Sequence, residues 1–88
     1  MPKPRGDTGE KNLVGPRIKI LRARDGLSQR DLARELQLIG MDIDKNVITR
    51  IETNKRYVTD LELKAFARVF QVTYEYLIDG IQGTEMRP

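Results

Sequence analysis

The chain contains no cysteine and no histidine. Without cysteine there is no disulfide framework and no thiolate metal centre. Without histidine the commonest metal ligand and the usual general base near neutral pH are missing as well. Nothing else in the sequence arranges a nucleophile beside a base, so neither an enzyme nor a metal or cofactor site is expected. Tryptophan is absent and aromatic residues make up only 6%, which suits a compact helical domain better than a β-sandwich. No apolar run approaches the roughly 18 to 20 residues that span a bilayer. Lys3 and Arg5 are not followed by the apolar stretch of a secretory signal. The cytoplasm is the expected compartment.

What the chain has in quantity is charge. Of its 88 residues, 33% are charged, the net charge is +3 and the pI is about 9.4. That balance is compatible with a polyanionic partner, and equally with a solvated surface that is merely basic. The length allows one domain.

Residues 1–12 are rich in Pro, Gly and charge and carry no apolar residue after Met1. They read as a flexible basic arm, either a plain tail or a segment touching a nucleic-acid backbone; Asp7 and Glu10 dilute its charge and favour the tail. Residues 13–80 form the expected domain, and 81–88 read as a second tail.

Within the domain the punctuation is helical. Pro16 suits a helix start, where its missing N–H costs nothing; Ile18 and Leu21 continue a stripe from Val14, and Gly26 can close the helix in a left-handed conformation. Four later starts share one pattern. Ser28, Asp44, Thr59 and Thr73 can each cap a helix, framed by apolar pairs: Leu27 and Leu32, Ile43 and Ile48, Val58 and Leu63, Val72 and Leu77. Glu62 completes a capping box with Thr59, and Asp31 a weaker one with Ser28. The expected fold is all-α, a five-helix bundle with helices at about 16–25, 29–39, 45–53, 60–70 and 74–78. The core faces are Leu32, Ala33 and Leu36 in the second helix; Val47, Ile48 and Ile51 in the third; and Leu61, Ala65, Phe66, Val69 and Phe70 in the fourth.

The third helix carries the functional signal. With Val47, Ile48 and Ile51 inward at about 100° per residue, the opposite face holds Asn46, Thr49 and Thr53, flanked by Lys45 and Arg50. Its amide, hydroxyl and cationic groups can pair with base edges in a major groove, and no acid sits near its centre. Asn54, Lys55 and Arg56 follow directly and can donate to phosphates. Gln29 opens the second helix, where free backbone N–H groups favour an anion; it can contact a phosphate or brace the third helix.

The segments from Gly26 to Ala33, from Ile48 to Glu52 and from Asn54 to Arg56 resemble the lambda-repressor/Cro-type helix-turn-helix, also called the XRE family. Leu61, Ala65, Phe66, Ala67, Phe70, Gln71, Val72, Tyr76 and Leu77 are similar to its last two helices. The resemblance extends over residues 14–80. It implies a DNA-reading pair formed by the second and third helices, with Gln29, Asn54 and Lys55 on the DNA backbone and Lys45, Asn46, Thr49 and Arg50 facing the groove. It also implies a structural ion pair between Arg22 and Glu52.

One departure from the family is the connection 37–43, about five residues longer than usual. It is expected to add a turn to the second helix, with Gly40 taking a left-handed conformation and Met41 folding back on Leu36. The expected function is a sequence-specific double-stranded DNA-binding regulator, a repressor acting as a homodimer. Tyr74, Tyr76, Ile78 and Ile81 either pair two copies or close the bundle. The alternative is a protein-interaction module of the same fold, such as a toxin-neutralising antitoxin with a protein partner.

Overall fold

The computed structural model describes residues 9–80, which form five α-helices: α1 (Gly15–Arg24), α2 (Gln29–Leu38), α3 (Lys45–Glu52), α4 (Asp60–Phe70) and α5 (Tyr74–Asp79). No strand occurs among the described residues. Expectations for residues 1–8 and 81–88, including a pairing role for Ile81, lie outside them.

Local chemistry sets the helix starts. Ser28, Asp44, Thr59 and Thr73 each have extended backbone and accept, through the side chain, the N–H of the third helical residue. Both capping boxes close: the Ser28 N–H donates to Asp31 Oδ2 at 3.0 Å and the Thr59 N–H to Glu62 Oε1 at 3.0 Å. Each bond satisfies an N–H that a helix start leaves without an internal partner. The backbone bond from Ser28 is the main influence holding the Asp31 carboxyl below its ordinary pKa.

The helix ends follow one rule as well. Gly40 has φ +92; its N–H reaches the Gln37 carbonyl at 3.0 Å, and the Met41 N–H reaches the Leu36 carbonyl at 2.9 Å. These two bonds form a Schellman motif, which absorbs the long connection by extending α2 and stopping it on glycine. Gly26 closes α1 by the same pair of bonds. The stops after α3 and α4 use Asn54 (φ 61) and Gln71 (φ 55), so two side chains other than glycine sit in the left-handed region.

The core gathers Val14, Ile18 and Leu21 from the N-terminal side, Leu32, Ala33 and Leu36 from α2, and Ile43, Ile48 and Ile51 around α3. Ala65, Phe66, Ala67, Phe70, Val72 and Leu77 complete it. Large apolar side chains buried in this way contribute about 1.5–3 kcal/mol each. Leu61 departs from the expected core list, being 68% exposed. It stands in the first turn of α4, and helical side chains lean toward the N-terminus, so it overhangs the edge of the core. Val47 and Val69 pack against the core but are only partly buried.

The domain also begins earlier than composition suggested. Asn12 accepts the Gly15 N–H at 2.8 Å, and its amide donates to the Ile51 carbonyl at 3.1 Å and the Arg56 carbonyl at 2.8 Å. One side chain thus caps the approach to α1 and ties it to the end of α3. The fit is tight, because a Cβ on Gly15 would collide with the Ile51 carbonyl oxygen.

Candidate nucleic-acid interface

α3 is held from behind. Ile48 and Ile51 are fully buried and Ile43 anchors the preceding turn. Asp44 caps the helix by accepting the Val47 N–H at 2.9 Å. A polar chain then joins α3 to α1 and α2. Arg22 donates to Glu52 through Nε at 2.7 Å and Nη2 at 3.1 Å, and to the Leu27 carbonyl through Nη1 at 2.9 Å. Gln29 Nε2 donates to Glu52 Oε1 at 3.1 Å, and the Thr49 hydroxyl donates to Gln29 Oε1 at 2.8 Å.

The Glu52 side chain is only 3% exposed, and such burial of a carboxylate is tolerable because three donor atoms surround it. The hydrogen bond to Glu52 outweighs burial and raises the Arg22 guanidinium above its already high ordinary pKa. Gln29 therefore braces α3, and its place at the start of α2 keeps it beside free helix-start N–H groups.

The outward side is different. Lys45, Asn46 and Arg50 are exposed, and their side chains hold no hydrogen bond or ion pair among the described residues. Thr53 is exposed, and its hydroxyl folds back on the Thr49 carbonyl at 2.8 Å. Glu52 is the one acid of α3 and it faces inward. The result is a rigid helix with an acid-free surface bearing one amide, one guanidinium and one ammonium. The first two can each make paired hydrogen bonds to a planar partner.

Comparison with protein families matches helix-turn-helix over residues 18–77. The chain belongs to the XRE-type helix-turn-helix family. Among solved structures it is similar to the P22 c2 repressor protein, determined in complex with a synthetic operator in the presence of Tl+. The TM-score is 0.67 at 21% identity, covering 80% of this chain and 98% of that one. Comparison with curated proteins gives no significant match.

The segment after α3 of this helix-turn-helix domain splits in two. Lys55 is exposed and unpaired among the described residues. Arg56, read from sequence as a phosphate donor, grips Glu62 with both terminal nitrogens at 2.9 Å and also reaches the Tyr57 carbonyl at 3.2 Å. The hydrogen bond to Glu62 raises the Arg56 pKa. For Glu62, burial alone would push the carboxyl up; hydrogen bonds from Arg56 and the Thr59 backbone, with the Arg56 charge, overcome it and hold the group below its ordinary value.

Asn54 Oδ1 is buried without a partner among the described residues, so the oxygen end of this amide is turned inward. Lys11 lies over the Tyr57 ring at 5.9 Å from its centroid.

Sequence reasoning had not placed Asn12 or Glu62 in this framework. A capping-type residue three positions before the Gly15 N–H was the available signal for Asn12. Glu62 was visible only as half of a capping box. Among the described residues, no group of three or more Asp or Glu side chains could hold a metal ion.

Proposed function

We propose that this domain is a sequence-specific double-stranded DNA-binding transcriptional regulator of the cytoplasm, a repressor that acts by occupying its site as a homodimer. The observation that carries this reading is the unpartnered face of Lys45, Asn46 and Arg50 on a helix fixed from behind by the Arg22–Glu52–Gln29–Thr49 chain. A helix that inserts into a major groove needs both properties: free donors in front and no slack behind.

Asn46 and Arg50 read base edges and Lys45 completes the groove-facing set, while Thr49, expected there from sequence, is held on the Gln29 side. Gln29, at the first turn of α2, meets the flanking phosphate, and Asn54 and Lys55 meet the strand beyond α3. Arg56 is neutralised by Glu62 and shapes that segment rather than meeting a phosphate. The operator-bound state of the P22 c2 repressor structure supports the reading, as does membership of the helix-turn-helix family.

A second copy of the chain fits the apolar surface at the start of α4 and α5. Leu61 is 68% and Tyr74 48% exposed, and with Leu63, Asp60 and Lys64 they line an open hollow of about 300 Å³. Tyr76 and Ile78 are partly buried and close the bundle. Two-fold pairing would set two α3 helices about one DNA turn apart.

In-vitro selection from random duplexes tests function and symmetry together. The expected product is a palindrome whose binding weakens steeply with salt. Recovery of no preferred sequence from a protein that ignores duplexes at low ionic strength would reject the proposal.

A further inference from the structure

α2 sorts its charges by side. Arg30, Arg34 and Gln37 succeed one another at steps of four and three and share one stripe, whereas Asp31 and Glu35, each one residue later, lie on the next stripe round. The cationic stripe is turned toward the start of α3. Arg30, Ala33, Arg34 and Gln37 line, together with Asp44 and Lys45, an open hollow of about 280 Å³. Ala33 is buried and forms its floor.

Two of the polar groups around the hollow are already engaged. Asp44 Oδ1 accepts the Val47 N–H at 2.9 Å, and Gln37 Nε2 donates to the Ile43 carbonyl at 3.0 Å. Arg30, Arg34 and Lys45 are exposed. None of the three is hydrogen-bonded or ion-paired among the described residues, although the Arg34 charge acts on Asp31. Three cations outnumber the one carboxylate, Asp44, around the hollow, and this excess of positive charge gains when an anion enters.

We propose that this hollow is a second anchoring site for a sugar-phosphate strand of duplex DNA, with Arg30 and Arg34 each neutralising a phosphate beside the groove that α3 enters. The inference rests on the DNA-binding reading and extends the footprint from α3 back along α2. The two arginines are separated by a rise of about 6 Å, and a DNA strand advances about 3.4 Å per phosphate. That advance is measured along the duplex axis, and the strand also winds round it, so neighbouring phosphates lie further apart through space and the two arginines match adjacent phosphates of one strand. A phosphate grip adds affinity and salt sensitivity without choosing a sequence.

The test is the R30A/R34A variant, assayed from 50 to 300 mM NaCl against the selected duplex and a scrambled one. The slope of log affinity against log salt should fall by about 1.8, at about 0.9 per lost phosphate contact. Both duplexes should weaken by the same factor, and R30K/R34K should keep most of the wild-type slope. Both arginines are exposed, so thermal unfolding should be nearly unchanged. If the double variant unfolds, R30Q and R34Q assayed singly should each lose about 0.9 in slope.

A wild-type slope in these variants overturns the site, and so does a loss confined to the selected duplex. If N46A still loses discrimination in that case, the reading by α3 stands alone. A wild-type protein that binds neither duplex overturns both.

Discussion

The two sides of α3 obey opposite rules. Behind it, Thr49 and Glu52 are committed to Gln29 and Arg22. In front, Lys45, Asn46 and Arg50 hold no partner among the described residues. The closed side fixes where the helix points, and the open side leaves donors whose bonds need not be broken before a ligand arrives. On the proposed reading, stability and recognition fall to different residues of one eight-residue helix, and substitutions should separate them.

The largest effect is expected behind the helix. R22A strands the buried Glu52 carboxylate, and the free energy of unfolding in urea should fall by about 3 kcal/mol. Replacing both partners by methionine should recover most of it, because the penalty comes from the charge left alone. A loss below about 1 kcal/mol in R22A, set against the roughly 3 expected for a buried pair, would show that the two sides are not distinct.

Next comes the pair that ties the following segment to α4. E62Q should cost about 2 kcal/mol at pH 7, as expected when hydrogen bonds to a charged group are lost. The sign of its pH dependence follows from the lowered pKa of Glu62. A depressed carboxyl contributes its full stability above the ordinary glutamate value of about 4.3 and loses it as pH falls through the folded value. The gap between wild type and E62Q, followed by thermal unfolding, should therefore be constant near neutrality and close below about pH 4. A gap that widens in acid would contradict the assignment.

In front of the helix the order reverses. N46A should leave unfolding within about 0.5 kcal/mol of wild type, while discrimination between the selected duplex and a single-base variant falls by about 1–3 kcal/mol in competition binding. K55A should weaken both duplexes alike, the smallest of these effects, lowering the salt slope by about 0.9.

What sequence made legible was local. The caps at Ser28, Asp44, Thr59 and Thr73 are chemistry within three residues of a helix start, and they located four of the five helices. The Gly40 stop was likewise readable from a glycine followed by an apolar residue. The inward face of α3 and the outward Lys45, Asn46 and Arg50 followed from its period, but Thr49, expected on the outward face, is half-buried with its hydroxyl on Gln29. What was hidden depends on chain segments meeting in space. Arg56 meets Glu62 only because a turn doubles back. Asn12 is bonded to carbonyls more than thirty residues away. Gly15 is needed because the Ile51 backbone lies against it. Leu61 sits four residues before Ala65 and repeats the core spacing, yet the core ends before reaching it.

Gln71 closes α4 in a left-handed backbone that its side chain disfavours, and it is exposed there. The position is thus a reserve of heat resistance that the molecule has left unused. Glycine at residue 71 would remove about 1 kcal/mol of local strain, less the extra freedom it gives the unfolded chain. Any net gain translates into about 4–8 °C in Tm per kcal/mol for a domain of this size. The site lies at the far end of α4 from Leu61 and outside α2 and α3, so a hardier variant can be made without touching the surfaces assigned to DNA or to a second copy.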